Sequence, residues 1–472
     1  MQPCQIASFE QKEGEGCYKI IRRNQNRDMR EKEFLPAVKD RLGIEQLNEM
    51  QLKMMAQATE QRDIILLSPT GSGKTLAFTL PVMKLMKPST GRVQCVVIAP
   101  SRELVMQIAG VMREVGRDFR VVALYGGHNV EDEVNSLKVV PDIVVATPGR
   151  LLDHAVRRNI DLLPVRILVL DEFDKSLELG FEEEMEKLVK RMKNVSRFIL
   201  TSATDADTLP EFLNLTNPVT LNFVGENKNL KERMRIHRVD SDGKDKLESL
   251  LHLLHNINEG TTPEKSIIFV NHRESAERVA EFLKKSGVDA VLYHGALDQR
   301  ERETAVALFN NGSRPVLVAT DLAARGLDIE KVASVIHYHQ PLTPDAFTHR
   351  NGRTARVEEE GDVYVLVGPE EEVKEFVEFD DTRYLDTSIR KNLRSGFTSL
   401  YIGGGKREKV SRGDILGFLI KEGGLESSEI GKINVYDHYA LAAVKSDKID
   451  VLLKNIAGKK LKGEKRRISP LK

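Results

Sequence analysis

Short apolar runs of strand length alternate with helix-length stretches along most of the chain, and the alternation starts afresh near mid-chain. Each run is bounded by Gly, Pro, Ser, Thr or Asp, and fully apolar strands are typical of parallel sheets covered on both faces. The first series comprises residues 63–67, 96–99, 143–146, 167–170 and 198–200, and the second comprises residues 266–270, 290–293, 316–319 and 335–338. The pattern predicts an α/β protein with two tandem parallel-sheet domains, divided near residues 222–240.

The last part of the chain has a different pattern and is too short for a third copy. Residues 400–402 and 433–444 have the pattern of strands, whereas helices are predicted from Ser411 to Lys421 and over residues 448–457. This order predicts a compact α+β domain of the RRM kind. From Phe397 onward the segment holds sixteen basic and nine acidic residues. Such a surplus suits either a phosphate-binding surface or a solvated tail.

Two segments fall outside these domains. Residues 1–33 are polar and lack periodicity, so they are assigned as an N-terminal extension. The charge-dense stretch from Pro369 to Arg394 is predicted to hold a terminal helix and then a linker. The predicted division is 34–225 for the first domain, 230–370 for the second, 371–395 for the linker and 396–472 for the C-terminal domain.

Composition argues against several classes of protein. There is no run of about 18 apolar residues, so a membrane span is not expected. The N-terminus lacks a basic stretch followed by an apolar one, which predicts a cytoplasmic protein without a secretory signal. Cys4, Cys17 and Cys95 are scattered and offer neither a disulfide framework nor metal-ligand spacing. The 71 basic and 71 acidic residues balance, so whole-chain charge says nothing about nucleic acid.

A glycine-rich segment, Thr70-Gly71-Ser72-Gly73-Lys74-Thr75, closely follows the first apolar run. Glycine lets the backbone point its N–H groups at phosphate oxygens, and a helix that begins there adds its positive dipole end. Lys74 would neutralise the β- and γ-phosphates of a nucleotide, and the Thr75 hydroxyl would bind Mg²⁺. Ser68 replaces the first glycine of the general form G-x-x-x-x-G-K-T. The alternative is a glycine-rich turn with a chance Gly-Lys-Thr, which the preceding strand and following helix disfavour.

A pair of carboxylates, Asp171 and Glu172, follows the apolar run at residues 167–170. Acidic residues at the carboxyl tip of a buried strand lie where open α/β sheets bind ligands. Asp171 can hold Mg²⁺ through water and Glu172 can orient an attacking water, and phosphoryl hydrolysis needs both. Without the phosphate loop, an acidic helix cap would be the better interpretation.

Three arginines, Arg350, Arg353 and Arg356, fall within one short stretch of the second domain that Gly352 interrupts. Arg353 and Arg356 are predicted to act as arginine fingers in cis, which stabilise charge on the transferring phosphoryl group. Such fingers are worth roughly a thousandfold or more in rate. Alone the stretch would be an ordinary basic patch. Together with the phosphate loop it implies a site that is completed when two domains close.

These residues and several further motifs resemble the DEAD-box RNA helicases of helicase superfamily 2. The resemblance covers roughly residues 34–368 and keeps the family's order of motifs. The further motifs are residues 100–104, 126–127, 147–150, 202–204, 268–271, Gln299 with Arg302, 319–321 and 325–328. The resemblance implies two RecA-like domains that close over ATP and Mg²⁺ and clamp one RNA strand.

The resemblance also implies roles for single residues. Ser202 and Thr204 would couple hydrolysis to strand separation, Gln51 would pair with the adenine edge, and Asp328 would approach the ribose and phosphates. Contacts to the RNA backbone would come from Arg102, Gly127, Thr147, Arg150, Gly295 and Thr320. Such contacts read phosphate and 2′-OH rather than bases, so they give affinity without sequence choice. A strand bent by this clamp cannot stay paired, which implies local melting of short duplexes.

The chain departs from the family pattern at several positions, although the catalytic pair and Gln51 are kept. One departure is in the namesake tetrad and others are in the adenine-recognising element at residues 43–51. The substitutions are Phe173 for Ala, Ile44 for an aromatic residue, Leu47 for Pro, Asn26 for Phe, Asn351 for Ile and Ala355 for Gly.

The C-terminal region resembles the RNA-binding domain of DbpA-type bacterial helicases through residues 413–417 and 431–444. In relatives that domain binds structured ribosomal RNA, so the resemblance implies a role in ribosome biogenesis. Lys406 and Arg407, with the nearby Lys409 and Arg412, are predicted phosphate contacts. Tyr401 or Tyr436 could stack on a base or simply pack the small sheet.

Three functional hypotheses follow. The first is an RNA-dependent ATPase and helicase that locally unwinds structured RNA. The second is a low-turnover RNA-binding clamp or scaffold, which Phe173 and the altered adenine element would allow. The third is a DNA-directed helicase of the same superfamily, which the RNA-binding tail argues against. Intact residues at all predicted catalytic positions favour the enzyme, namely Lys74, Asp171, Glu172, Arg353 and Arg356.

Overall fold

A computed structural model gives the fold of residues 35–471, apart from residues 61, 70, 128, 203–208, 225–233, 259, 261, 325–328, 330–331 and 355–359. It divides the chain into two compact units, 1–227 and 228–472, so the boundary falls within the predicted stretch 222–240. The predicted N-terminal extension, residues 1–33, lies outside the described residues. Across the part that is described, no helix is both long and apolar enough to cross a membrane.

The first unit is a parallel sheet covered on both faces by helices, as the apolar runs predict. Its strands are β1 (Ile64–Leu67), β2 (Cys95–Ile98), β3 (Val121–Leu124), β4 (Ile143–Ala146), β5 (Ile167–Leu170), β6 (Arg197–Ser202) and β7 (Val219–Asn222). Its helices are α1 (residues 35–42), α2 (Glu49–Gln57), α3 (Lys74–Leu85), α4 (Arg102–Val115), α5 (Val130–Leu137), α6 (Pro148–Val156), α7 (Phe173–Glu178) and α8 (Glu182–Arg191). The strand order is β3-β4-β2-β5-β6-β1-β7, with all pairs parallel. One apolar layer lies on each face of this sheet.

The second unit begins with a sheet of the same design. Its strands are β8 (Met234–Asp240), β9 (Ser266–Phe269), β10 (Ala290–Tyr293), β11 (Val316–Ala319), β12 (Ser334–His337), β13 (Gly361–Val367) and β14 (Asp381–Thr382). Its helices are α9 (Leu247–Ile257), α10 (Arg273–Lys285), α11 (Gln299–Asn310) and α12 (Pro344–Asn351). The order β10-β11-β9-β12-β13-β8-β14 repeats that of the first sheet position by position, so β8 is the counterpart of β1 and β12 that of β5.

Several strands were not predicted from the apolar runs. β7 lies at a sheet edge, where its side chains alternate between half-buried and exposed. β8 carries Arg235, His237 and Arg238 among its apolar residues, so it shows no continuous apolar run. Edge and near-edge strands are stabilised by pairing with a neighbour, and their composition alone does not reveal them.

A small antiparallel sheet forms the C-terminal domain, as the RRM-like prediction requires. Its elements are β15 (Phe397–Gly403), α13 (Arg412–Lys421), β16 (Ile430–Val435), β17 (Tyr439–Lys445), α14 (Ile449–Asn455) and β18 (Ile468–Pro470). The strand order is β16-β17-β15-β18. Ser411 caps α13, since its side chain accepts from the Asp414 backbone N–H while Asp414 accepts from the Ser411 backbone N–H.

The connecting segment, residues 369–396, contains no helix, so the predicted terminal helix is wrong. It lies along the second sheet instead, where β14 pairs with β8. Val377 and Leu393 are buried in the apolar layers of this domain. A helix could not keep these side chains on the sheet surface while pairing its backbone with an edge strand, and this tertiary requirement overrides the local pattern.

The C-terminal domain packs on α11 and the turn that follows it. Asn311 Nδ2 donates to Ser399 Oγ at 2.7 Å, and Ser395 Oγ donates to the Gly312 carbonyl at 2.6 Å. The Arg300 guanidinium lies over the Tyr439 ring, 4.9 Å from its centroid. Polar and cation–π contacts therefore join this domain to the second parallel sheet domain within one unit.

Candidate nucleotide and RNA sites

The phosphate loop runs from the end of β1 to the start of α3. Gly71 and Gly73 have φ of 83° and 90°, in the left-handed region that glycine adopts without strain. Lys74 is the first residue of α3, and its Nζ donates to the Ser68 carbonyl at 3.0 Å. The geometry thus holds this ammonium against the first residue of a loop whose glycines turn the backbone as anion binding requires. Thr70 lies outside the described residues.

The adenine-recognising element lies directly against this loop. Asn48 and Gln51 form a capping box at the start of α2. Asn48 Nδ2 donates to the Ser72 carbonyl at 3.1 Å, and Gln51 Nε2 lies 3.4 Å from the Gly73 carbonyl oxygen. A Cβ on Gly73 would come within 2.7 Å of Gln51 Nε2, so only glycine permits this approach. Asn48 and Gln51 therefore contact the phosphate loop through two of its carbonyl groups. The hydrogen bonding of Gln51 to adenine stays a prediction.

Asp171 and Glu172 follow β5 and are linked by a third residue, Thr201. The Thr201 hydroxyl donates to Asp171 Oδ1 and accepts from the Glu172 backbone N–H at 3.1 Å. Glu172 has φ of 46°, a left-handed conformation that a non-glycine residue adopts at some cost. Burial raises the pKa of Asp171, and the charge of Lys74 and the Thr201 hydrogen bond oppose that rise. A cation beside Asp171 would stabilise its ionised form in the same way.

The donor set here fits magnesium. Thr75 offers a hydroxyl and Asp171 a carboxylate, and oxygen is the ligand atom that this small, hard cation prefers. The buried Asp171 gains most from a neighbouring positive charge. The two residues are therefore suitable ligands for the Mg²⁺ that accompanies a nucleotide.

Ser202 ends β6, and its carbonyl accepts from the Ser68 backbone N–H at 2.9 Å, which connects it to the start of the phosphate loop. Thr204, its predicted partner in coupling, lies outside the described residues. Phe173 is only 1% exposed and belongs to the apolar layer that contains Leu200 and Leu213. The bulky ring is thus accommodated in the core, beneath the catalytic pair.

The four RNA contacts predicted in the first domain lie at the carboxyl ends of neighbouring strands. Arg102 begins α4 after β2, Gly127 follows β3, and Thr147 and Arg150 begin α6 after β4. The Arg102 guanidinium lies on Gly127, where any side chain would collide with it. Because they are predicted to contact RNA, we refer to Arg102, Gly127, Thr147 and Arg150 as the RNA-facing cluster, and their contacts with RNA stay a prediction.

Two residues that the sequence did not single out complete these sites. Thr201 bridges the catalytic pair, although in the sequence it is one polar residue at the end of an apolar run. Glu133 is buried and bonds to Arg150, although in the sequence it belongs to an acidic first helical turn with Glu131 and Asp132. An acidic first turn is common at helix N-termini, so no local signal distinguishes Glu133.

In the second domain, Gly295 and Thr320 follow the adjacent strands β10 and β11, and the Thr320 backbone N–H donates to the Tyr293 carbonyl. Arg350 is fully buried and donates to Asn271 Oδ1 at 2.8 Å and to the His339 carbonyl at 2.9 Å. Its Nε also donates to Asp321 Oδ1 at 2.5 Å, so Arg350 connects its own motif to those at residues 268–271 and 319–321.

Arg353 is also buried, within the turn after α12. Asn351, which replaces the usual Ile, bonds to His337 Nε2 at 2.8 Å, so its polar side chain is satisfied. Asp328 and Arg356 lie outside the described residues, and the finger roles of Arg353 and Arg356 stay predictions.

In the C-terminal domain, Lys406 and Arg407 are exposed on the turn after β15. Tyr401 and Tyr436 both stack with Tyr439, with ring centroids 5.8 and 4.6 Å from it. The Arg300 guanidinium of α11 lies over the Tyr401 and Tyr439 rings. The tyrosines therefore pack the sheet against its neighbour, which is the second of the two interpretations left open by the sequence.

Three family models match the chain, and they follow one another along it. They are the DEAD/DEAH box helicase model at residues 48–212, the helicase conserved C-terminal domain at 245–358 and the DbpA RNA binding domain at 399–470.

Similar proteins of known name agree with these models. The ATP-dependent RNA helicase DbpA of Escherichia coli (strain K12) is 31% identical over 444 residues, which span 91% of this chain and 96% of DbpA. CshA of Bacillus subtilis (strain 168), a DEAD-box ATP-dependent RNA helicase, is 33% identical over 336 residues, or 70% of this chain and 67% of CshA.

Solved structures agree as well. S. cerevisiae Dbp5 bound to RNA and ADP BeF3 is 27% identical, with a TM-score of 0.63 over 71% of this chain and 87% of Dbp5. The DEAD-box helicase Mss116 bound to ssRNA and UDP-BeF is 27% identical, with a TM-score of 0.65 over 74% of this chain and 76% of Mss116.

The chain belongs to the DEAD-box ATP-dependent RNA helicases. Like DbpA of E. coli, with which it aligns over nearly its whole length, it combines the two RecA-like domains with a C-terminal RNA-binding domain. It is an RNA-dependent ATPase of the RNA helicase class.

Proposed function

We propose that the chain couples ATP hydrolysis to local unwinding of structured RNA, and that this RNA is ribosomal RNA during ribosome assembly. The observation that carries the coupling is the division of the first sheet into two halves. The nucleotide residues follow β1 and β5, on the β5-β6-β1 half, whereas the RNA-facing cluster follows β2, β3 and β4, on the β3-β4-β2 half. The two halves share one carboxyl edge and meet between β2 and β5.

This arrangement supports mutual sensitivity of the two ligands. Adjacent parallel strands in a packed core cannot move independently, so a ligand that orders one half favours the matching conformation of the other. Binding of RNA across β2, β3 and β4 would therefore favour the arrangement of Asp171 and Glu172 that hydrolysis needs. The backbone clamp bends the bound strand, and local melting of a short duplex follows.

The chemical roles follow from the side chains. Lys74 neutralises the β- and γ-phosphates, and Glu172 orients the attacking water. Thr75 and Asp171 would hold Mg²⁺, which would neutralise negative charge on the phosphates of ATP during phosphoryl transfer. Arg353 and Arg356 stabilise charge on that group when the domains close, and Asp328 contacts the ribose and phosphates.

The test is ATP hydrolysis by the purified chain without nucleic acid, with DNA and with ribosomal RNA, together with unwinding of a short RNA duplex. We expect stimulation by RNA but not by DNA, and loss of at least about a hundredfold in Glu172→Gln. The matched control is Glu182→Gln, an exposed carboxylate in the same domain, which should hydrolyse ATP normally.

Two other outcomes would redirect the proposal. RNA binding without turnover would support the low-turnover clamp, and Phe173→Ala would then be the first variant to assay for recovered hydrolysis. Equal stimulation by DNA and RNA would support the DNA-directed alternative.

The ribosomal assignment rests on the C-terminal domain and needs its own test. Lys406 and Arg407 are exposed on the turn after β15, where a folded RNA could reach both. The double variant Lys406→Ala/Arg407→Ala should lose preference for ribosomal RNA over unstructured RNA in the ATPase assay. The control Lys421→Ala/Lys454→Ala removes the same charge from exposed positions of that domain. An unchanged preference in the first pair would contradict the assignment.

A further inference from the structure

Glu133 is a buried carboxylate in a helix whose other acidic residues face solvent. Its side chain is 3% exposed, whereas Glu131 and Asp132 are exposed. Removal of a charge from water costs several kcal/mol, roughly, unless the charge is paired and hydrogen-bonded. A carboxylate retained at such a position therefore has partners that need it.

The hydrogen-bond partners of Glu133 lie in two other segments, the turn after β3 and helix α6. Glu133 Oε1 accepts from the Tyr125 backbone N–H at 2.9 Å. Its Oε2 accepts from Arg150 Nε at 2.6 Å and lies 2.8 Å from His154 Nε2. Both oxygens are thus engaged, one by the segment that precedes α5 and the other by α6.

The His154 contact is directional. The Asn159 amide nitrogen lies 3.0 Å from His154 Nδ1, so Nδ1 accepts and the ring proton is on Nε2, facing Glu133. His154 is fully buried, so no water competes for this bond. The His154 side chain therefore fixes the orientation of the Glu133 carboxylate, which in turn binds Arg150.

These bonds connect two of the three turns that carry the cluster, those after β3 and β4. Tyr125 directly precedes the Gly126-Gly127 turn, and Arg150 lies in the first turn of α6, which begins after Thr147. One carboxylate therefore sets the spacing between them. Successive phosphates of one RNA strand have a set separation, so the two turns can contact the strand together only at a matching spacing.

We propose that Glu133 is a positioning residue for the sugar-phosphate backbone of the bound RNA strand. It acts through Arg150 and the Gly126-Gly127 turn, and it does not touch the RNA. This inference rests on the proposed function, because it takes Gly127, Thr147 and Arg150 as RNA contacts. The role is orientation, since a carboxylate close to the strand adds no attraction of its own.

The test is Glu133→Gln in the full chain. Glutamine is nearly isosteric, but with its oxygen toward Arg150 its NH₂ group meets the Tyr125 N–H, so one link is lost. The probe is a fluorescein-labelled single-stranded oligouridylate, titrated by anisotropy in the presence of a non-hydrolysable ATP analogue. We expect the dissociation constant for RNA to rise about tenfold, as loss of a charge-assisted hydrogen bond implies. Turnover at saturating RNA and the half-saturating ATP concentration should stay unchanged.

Two companions identify the cause. Glu131→Gln removes an exposed charge from the same helix and should bind RNA as the unmodified chain does. In an Arg150→Ala background, Glu133→Gln should weaken RNA binding far less than tenfold, because the spacing that Glu133 sets between the Gly126-Gly127 turn and Arg150 no longer has an arginine at one end. A full tenfold effect in that background would overturn the proposal, as would unchanged RNA affinity in the single variant.

Arg150→Lys gives a second route if Glu133→Gln lowers the melting temperature into the assay range. Lysine keeps the charge but lacks the Nε atom that Glu133 holds, so RNA affinity should fall, and full affinity would overturn the proposal. RNA binding without stimulated hydrolysis would contradict the proposed function. The ratio of the RNA dissociation constants of Glu133→Gln and the unmodified chain would still test the role of Glu133. A chain that binds no RNA would overturn both.

Discussion

The loop after β1 and the loop after β8 occupy the same place in two sheets of the same order, yet only the first is built for a nucleotide. Each loop spans six residues between its strand and the next helix. In the first loop, the left-handed glycines leave room for phosphate. Lys74 donates there to the Ser68 carbonyl, a neutral acceptor that competes only weakly with a phosphate for the ammonium. In the second, Lys246 donates to the Leu366 carbonyl at 2.9 Å and to Glu371 at 2.8 Å.

Glu371 occupies the position beside Lys246 that an anionic ligand would otherwise take. Its carboxylate also accepts from the Gly368 backbone N–H and from Gln340. Burial lowers the pKa of Lys246, and the bond to Glu371 opposes that effect. The chain's own carboxylate thus neutralises the lysine of the second domain, whereas the lysine of the first stays available to a substrate.

Strand register extends the comparison to the catalytic residues. Leu170 pairs with Leu200 in the first sheet, and His337 pairs with Val365 at the equivalent position of the second. The residues that follow are Asp171 and Glu172 in one domain but Tyr338 and His339 in the other. The equivalent of Thr201 is Leu366, by the pairings of β6 with β1 and of β13 with β8. Duplication of the fold did not keep the chemistry, because a few side chains at one edge decide it.

The largest expected effect separates the two lysines. Lys74→Met should lower RNA-stimulated ATP hydrolysis by about a hundredfold or more, since it removes the charge that meets the phosphates. Lys246→Met should keep turnover when it is assayed below its melting temperature, because Glu371 already neutralises that lysine. Steady-state ATPase assays on both variants check this. Equal losses in two folded variants would break the comparison.

The next effect concerns the hydroxyl that only the first domain has. Thr201→Val removes the group that joins Asp171 to the Glu172 backbone, and kcat should fall about tenfold, as for a lost hydrogen bond to a charged group. Thr201→Ser keeps the hydroxyl and should retain most of the rate. If valine and serine variants turn over alike, the bridge is not what orders the pair.

A smaller effect is expected on the stability of the second unit. Glu371→Gln removes the charge that pairs with the buried Lys246 and should cost about 1.5–3 kcal/mol of unfolding free energy. The neighbouring Glu370→Gln breaks only an exposed pair with Lys244 and should cost less than about 1 kcal/mol. Thermal unfolding followed by calorimetry measures both. Equal melting temperatures for the two variants would contradict the assigned role of Glu371.

The smallest effect lies at the sheet edges. Ile64 of β1 pairs with Val219, whereas the equivalent His237 of β8 lies between Asp362 and Asp381. The hydrogen bond to Asp362 raises the pKa of His237 against the effect of burial, and a bond to Asp381 adds to the rise. The protonated ring therefore stabilises the edge fully below about pH 6.5, the ordinary pKa of histidine. That contribution is lost as pH rises through the raised pKa.

Amide hydrogen exchange can detect this difference. Corrected for intrinsic rates, protection of the peptide that holds β14 should decline between pH 6 and 9, by about 0.5 kcal/mol in opening free energy. The β7 peptide should show no such decline, and His237→Gln should abolish the pH dependence. A decline that persists in this variant would exclude His237 as its origin.

Much of the architecture was predictable because the buried strands are nearly pure apolar runs. Ile143–Ala146 and Val316–Ala319 fall where the pattern places them, and Ser411 caps its helix through the side chain that predicted it. The phosphate loop and the carboxylate pair were predictable for a related reason, since their chemistry needs particular residues at fixed offsets from a strand end.

The sequence by itself therefore determined the class of fold and the family, and it predicted which residues bind the nucleotide. Only the tertiary structure decided how Glu133 is used, that the segment after β13 forms an edge strand instead of a helix, and that Tyr401 and Tyr439 pack against Arg300. These features depend on residues far apart in the chain, such as Glu133 with Arg150 or Lys246 with Glu371. Local pattern carries no information about such partners, because burial and pairing arise only when the elements pack together.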